Sequence, residues 1–399
     1  MAANQRRLGE GLGQDMRVLF TTWAWPSHLY PLVPPAWALR AAGHGVLVAS
    51  QPGLLSEIVR TGLPAASVGH DVDAVEMVRG YLLPSETVQG GAAPRTGKGP
   101  RAMQMFLAHA ESMADDLVAL ARQWRPDLVV SEPTAFAGPV AAAAVGVPSA
   151  RLLYGTDLML RARPLLPELL APLAARYGVT ELDPFGVATI DPLPVSLQVP
   201  ADYRRLPVRY VPYNGPGPRP APLPDHDRPR VCVTWGHTMA KLDPARFLAG
   251  QVLAALHGTG VELVAAVSAD QRPLLGALPP DVRVVVDTPL DHVLPHCDLV
   301  VAHGGAGTVL TSLHHGLPLL MLPQLPDHAG HAARVVAAGA GEVLARDDAT
   351  PEAIRDEVDR LLKDGPERAA ARRLQQEMHR QPTPAALAAG LETLVRQLS

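Results

Sequence analysis

A chain of 399 residues that is 47% hydrophobic and 19% charged carries apolar material for two cores, which excludes a disordered polypeptide. A formal net charge of −4, with no block of lysine or arginine, excludes an electrostatic nucleic-acid binder. No apolar stretch approaches the roughly 20 residues of a membrane span, and two cysteines in apolar runs, Cys232 and Cys297, fit free thiols in a reducing compartment, the cytoplasm by default.

Met1 to Asp15 is polar and glycine-bearing and lacks the apolar core of a signal peptide, so it reads as a disordered extension. Folding begins at Met16. "RVLFTTW" and "GVLVAS" bracket a helical pattern over Leu32 to Ala42. "PDLVVSE" leads into a helix predicted over Ala137 to Val145, and "VPSARLL" follows. Apolar runs alternating with helical patterns predict stacked βαβ units on a parallel sheet, a first domain spanning 16–213. Within it, Leu83 to Arg101 is a polar, glycine-rich loop of the kind that is usually mobile and often functional.

The proline-dense stretch from Tyr213 to Arg230 cannot form a helix or a central strand, so 214–229 reads as a semi-rigid linker. The alternation then restarts with "RVCVTWG", "VELVAAVS", "VRVVVDTP", "CDLVVAHGG" and "LPLLMLP", giving a second domain over 230–380. Near its end Thr350 is placed to cap a helix with Pro351 in the first turn and Ile354, Val358, Leu361 and Leu362 on one apolar face. The last stretch, 381–399, is expected to be a helix packing back on the first domain.

The chemistry centres on Cys297 to Pro323, which reads as strand, glycine turn, helix, strand. A Walker loop is the nearest rival elsewhere, in "GAAPRTGKGP", but Gly91 lies one residue too far from Gly97 and Gly99 stands where a hydroxyl is required. A dinucleotide fingerprint fails at Leu310, which occupies its sixth position, and at Gln324, where an acidic residue should meet the ribose. What remains is a helix N-terminus opened by "HGGAGT". Amides near Gly304 to Gly307 would face outward with the positive end of the helix dipole behind them, and His303 and Thr308 add side-chain donors. Such a site receives a diphosphate.

In the first domain, His28 falls in the loop after the first strand, at the edge where open α/β sheets bind ligands. Glu132 ends another strand on the same edge, as a carboxylate that could fix the tautomer of a histidine base.

The segment "VVAHGGAGTVLTSLHHGLPLLMLPQLPDHAGHAARVVAAGAG" resembles the nucleotide-sugar signature of family 1 glycosyltransferases, in the bacterial branch that acts on macrolide, polyketide and enediyne natural products. The likeness runs along nearly the whole chain from Met16. It implies an α/β GT-B fold, two facing Rossmann-like domains with the active site in the cleft between them. By this resemblance His303 contacts the donor phosphates, with Gly304, Gly305, Ala306, Gly307 and Thr308 completing the cradle. Thr234, Gly236, His237 and Thr238 form a second phosphate-facing loop. Val286, Asp287 and Leu290 flank the base, read largely through backbone because the tryptophan many relatives carry is absent. Asp327 and His328 would read the donor sugar, although Asp327 serves equally well as a helix N-cap.

His28 matches the family's catalytic histidine, with Ser27 where the pattern has glycine, and Glu132 stands where aspartate is commoner, so its contact with His28 could be direct or through water. Trp25, Leu82, Met103, Phe106, Phe136 and Tyr154 are candidate acceptor-binding residues, with Met105 and Met159 as further apolar walls. The implied activity is an inverting transfer of a deoxysugar from a TDP- or UDP-sugar to a hydroxyl of a bulky apolar aglycone, with no metal or other cofactor. A homodimer or an activator protein stays open. Two alternatives share the fold: a sugar-nucleotide 2-epimerase, and a non-catalytic relative that binds nucleotide-sugar.

Overall fold

The computed structural model describes residues 15–79, 101–219 and 227–398. The expected N-terminal extension up to residue 14, the loop from Leu83 to residue 100, Leu82 and part of the linker lie outside the described residues.

Seven parallel strands form the first sheet: β1 (Arg17–Thr21), β2 (Gly45–Ser50), β3 (Ala65–Ser67), β4 (Leu128–Ser131), β5 (Ser149–Leu152), β6 (Ala188–Asp191) and β7 (Arg205–Pro207). They run in the order β3-β2-β1-β4-β5-β6-β7. The second sheet holds β8 (Arg230–Thr234), β9 (Glu262–Val267), β10 (Arg283–Val286), β11 (Leu299–Ala302), β12 (Leu319–Met321) and β13 (Gly341–Val343), in the order β10-β9-β8-β11-β12-β13. β1, β4, β8 and β11 carry continuous apolar runs because helices cover both faces of a parallel sheet.

The strand orders place the chemistry. In each sheet the winding reverses between two neighbours, β1 and β4 in the first and β8 and β11 in the second. Connections leave such a pair in opposite directions and open a crevice at the carboxyl ends of the strands. The loops after β1 and β4 carry His28 and Glu132. Those after β8 and β11 carry "WGHTM" and "HGGAGT". All four loops border one cleft.

Prolines that look like breakers in the sequence start helices instead. Pro26 opens the short helix Pro26–Leu29, and Val33–Ala41 accommodates Pro34 and Pro35 in its first turn, where the missing N–H has no intrahelical partner to lose. That first helix, which carries His28, is not anticipated by the apolar pattern. The helices Ala137–Val145 and Pro351–Leu362 form as the pattern predicts, and Thr350 Oγ1 accepts from Ala353 N at 3.2 Å. The final helix, Pro384–Leu398, buries Leu387, Leu391 and Leu394 in the core cluster of β1 and β2, and Glu392 meets His44 Nε2 at 3.0 Å. A separate cluster bridges the halves: Leu193, Leu197 and Tyr210 pack with Val309, Leu313, Leu374 and Met378.

Candidate active site

His28 sits between two rings, 4.7 Å from Trp23 edge-on and 4.4 Å from Tyr154. Its Nδ1 is 3.2 Å from Glu132 Oε2, so the approach is direct, though off the line of the ring N–H and short of an aligned hydrogen bond. Catalytic contacts of this type commonly tighten once substrate is bound.

Glu132 is fully buried and is held by its own turn. Thr134 N donates to Oε2 at 2.9 Å, and Thr134 Oγ1 lies 2.8 Å from both carboxylate oxygens. The Trp23 indole N–H donates to the same hydroxyl at 2.9 Å, so the single proton of Thr134 goes to the carboxylate. Trp23, Thr134 and Glu132 thus form a directed chain, and the free face of Oε2 is left for His28. The sequence reading missed Trp23 and Thr134. The threonine two residues beyond a buried carboxylate was a legible turn signal; the tryptophan was not.

Behind Trp23 stands His109, stacked at 4.4 Å and almost wholly buried. Gln51 Nε2 donates to His70 O at 2.8 Å, so its Oε1 must face His109 Nδ1 at 2.9 Å, which makes Nδ1 the protonated nitrogen. Burial, reinforced by His28, pushes His109 down to about 4.

Across the cleft, Gly304 takes a φ of 89°, turning the chain after β11, and the helix Ala306–His314 begins at once. A Cβ on Gly305 would lie 2.5 Å from His303 Nε2, so only glycine lets the imidazole fold over the helix start. His303 is buried, its Nδ1 has no partner, and the His328 ring stands 4.5 Å away edge-on. Burial holds His303 well below the ordinary histidine value, and neighbouring His328, His237 and His331 push the same way. Before any anion arrives this end of the cleft therefore offers neutral imidazoles, backbone amides and a helix dipole.

Thr234, Gly236, His237, Thr238, Asp287, Leu290, His303, Gly305, Ala306, Gly307, Thr308, Asp327 and His328 all line the same cleft as His28, Trp25, Phe106 and Tyr154. Met105 and Met159 line it too. Five expectations need correction. Met103 and Phe136 point into the core, because their faces of the helix Arg101–Trp124 and of the turn after β4 pack under the sheet. Val286 ends β10 outside the cleft lining, and Gly304, in its left-handed turn, is likewise not among the lining residues. Leu82 lies outside the described residues. Asp327 is in the first turn of the helix Pro326–Ala337, whose N-cap is Leu325, so it does not cap that helix. Asp287 occupies a left-handed φ of 47°, an uncommon strain for a non-glycine residue, and its Oδ1 accepts from Ala269 N at 3.1 Å.

The cleft measures about 2750 Å³, well beyond the ~300–1,000 Å³ of a site for one small ligand. It has room for two substrates at once.

Comparison with known proteins decides the family. The N-terminal and C-terminal domain models of erythromycin biosynthesis protein CIII-like proteins match residues 37–236 and 250–394. The chain belongs to the EryCIII-like family. Its relatives include the aklavinone 7-beta-L-rhodosaminyltransferase of Streptomyces galilaeus, 40% identical over 96% of both chains. The 10-deoxymethynolide desosaminyltransferase of Streptomyces venezuelae is 37% identical, over 96% of this chain and 98% of its own. Among solved structures, the glycosyltransferase VinC in complex with dTDP superposes with a TM-score of 0.80 at 33% identity, over 96% of this chain and 100% of that one. Spinosyn rhamnosyltransferase SpnG complexed with spinosyn aglycone gives 0.78 at 32%, over 94% and 100%. This EryCIII-like protein is a glycosyltransferase with the GT-B fold, and the epimerase alternative finds no support among these relatives.

The buried histidines give it a pH signature. His109, His314 and His331 are all pushed down to about 4, chiefly by burial. Above the ordinary histidine value of about 6.5 they are neutral folded or unfolded. As pH falls from there to about 4, the unfolded chain takes up protons that the folded one refuses, so stability declines across that window. Asp191, raised by burial to about 6, opposes this as one group against three. Urea midpoints measured from pH 7.5 to 4 should fall steadily; a midpoint that holds or rises would contradict the burial of these rings.

Proposed function

We propose that this EryCIII-like glycosyltransferase moves a deoxysugar from a thymidine-diphosphate donor to a hydroxyl of a bulky apolar aglycone, with inversion. One observation carries the reading: a single cleft joins the His28–Glu132 pair of one sheet to the glycine-opened helix of the other. The relatives whose names include desosaminyl and rhodosaminyl transfer, and the neighbours bound to thymidine diphosphate, support the choice of donor.

His28 Nδ1, facing Glu132, carries the ring proton, which leaves Nε2 as the lone pair that takes the acceptor's proton. The oxygen attacks the anomeric carbon from the face opposite the nucleotide. The diphosphate leaves into the amides of Gly305 to Thr308 under His303. Those fixed dipoles stabilise the charge as it develops, with no reorganisation to supply at the moment of reaction. Asp327 and His328, on the next helix, meet the sugar, and Asp287 and Leu290 flank the base. Tyr154, Trp25, Phe106, Met105 and Met159 give the acceptor an apolar wall.

Incubation with a TDP-deoxysugar, with and without an aglycone pool, tests this. Nucleotide release should need acceptor and should fall when a UDP-sugar replaces the donor. Equal release without acceptor would favour an epimerase or hydrolase, and binding without turnover a silent relative.

A further inference from the structure

One short loop, residues 154–158 after β5, touches both halves of the cleft. On one side Tyr154 packs against His28. On the other the loop touches the donor end with almost no gap. A Cβ on Gly155 would stand 2.7 Å from His331 Cε1 and 2.8 Å from Ala306 Cβ, and one on Gly330 would meet Leu158 at 2.6 Å. The loop is wedged between the base and the helix Pro326–Ala337.

What fixes it is a buried amide. Gln198 Oε1 accepts from Asp157 N and from Val199 N, each at 2.9 Å, while its Nε2 faces Asp191 Oδ1 at 3.3 Å and Gly155 O at 3.4 Å. All of its hydrogen-bonding capacity is used, which sets the amide's orientation without ambiguity. Asp157 is pinned from below by the buried Arg151, whose guanidinium reaches both its oxygens and lies 3.3 Å over the Phe185 ring.

The segment bearing Gln198 is gripped from the other domain. Arg334 Nε donates to Leu197 O at 2.8 Å and its Nη2 to Gln198 O at 3.0 Å, reaching Ser196 O at 3.5 Å. Glu377 takes Ser196 Oγ at 2.5 Å. Arg334 lies on the helix that carries Asp327 and His331, at spacings of seven and three residues, so the three share one face.

We propose that Arg334 and Gln198 are positioning residues that couple the two substrate sites. They carry the position of the sugar-facing helix to loop 154–158, and through Tyr154 to His28. Occupying the donor site holds the helix Pro326–Ala337 still, which orders the loop and sets the imidazole before an acceptor arrives. This deepens the transferase reading above and rests on it for its kinetic consequence only.

Two measurements test it. Hydrogen exchange needs no acceptor: a TDP-deoxysugar, whose sugar meets the helix Pro326–Ala337, should slow exchange across residues 155–158 in the natural protein. In Arg334→Met that protection should vanish while nucleotide affinity stays within about threefold. With acceptor present, Arg334→Met and Gln198→Leu should lower kcat/KM for the aglycone at least tenfold. They should also raise the fraction of donor lost to water, and Arg334→Lys should recover part of the loss. Undiminished protection of the loop in Arg334→Met overturns the proposal. So does a parallel fall of transfer, nucleotide affinity and melting temperature with an unchanged ratio of hydrolysis to transfer, which marks a merely structural contact. Should the natural protein transfer no sugar at all, the functional reading fails, yet the exchange experiment still decides the coupling.

Discussion

His28→Ala should bind thymidine diphosphate as the natural protein does and transfer sugar about 10³-fold more slowly, some 4 kcal/mol of transition-state stabilisation. The donor elements, His303 and the helix beginning at Ala306, belong to the other sheet and share no hydrogen bond with His28. Removing the imidazole therefore leaves the nucleotide site intact. The ring is held by packing between Trp23 and Tyr154, so alanine opens a small space at the cleft wall and bares one face of the Glu132 carboxylate, which Thr134 still holds. Single-turnover assays beside calorimetric titration of the nucleotide separate the two effects. A variant that keeps near-native rates with an alcohol acceptor would remove His28 from the mechanism.

Glu132→Gln is the second large effect, and it follows from the hydrogen-bond directions around the carboxylate. Thr134 presents a backbone N–H and a hydroxyl proton to this side chain, and the Trp23 indole prevents that hydroxyl from turning round. A glutamine must therefore keep its carbonyl oxygen at the Oε2 position, which accepts from Thr134 N and also faces His28, and turn its NH2 to the Oε1 position. His28 Nδ1 then faces a neutral carbonyl oxygen in place of a carboxylate, so the imidazolium that forms on proton transfer loses its counter-charge. The isosteric change should cost kcat about 10²- to 10³-fold with little change in the donor's KM, in line with the loss seen when a triad carboxylate is made neutral. A loss of less than threefold would show that the carboxylate charge does not support the imidazolium.

Much of this protein was legible before any coordinates. Apolar runs alternating with helical patterns gave two parallel-sheet domains, because a strand buried on both faces has to be apolar throughout. "HGGAGT" marked a glycine turn opening a helix at the cleft, since few other arrangements need glycine at successive positions after a buried strand. His28 and Glu132 could be picked out because each follows a strand at the edge where such sheets bind ligands. Met103 and Phe136 could not be placed. Both are apolar residues beside the cleft, and apolarity alone does not distinguish a wall from a core.

The sequence by itself determined the two-sheet plan, the family and which residues stand at each sheet edge, because period, glycine placement and strand-end position are local properties. Only the tertiary structure decided that Trp23 and Thr134 orient Glu132, that Gly155 lets the halves touch, and that Arg334 reaches Ser196, Leu197 and Gln198. Apart from the Thr134–Glu132 turn, those contacts join residues more than a hundred positions apart, and no pattern along the chain records which distant carbonyl a guanidinium will meet.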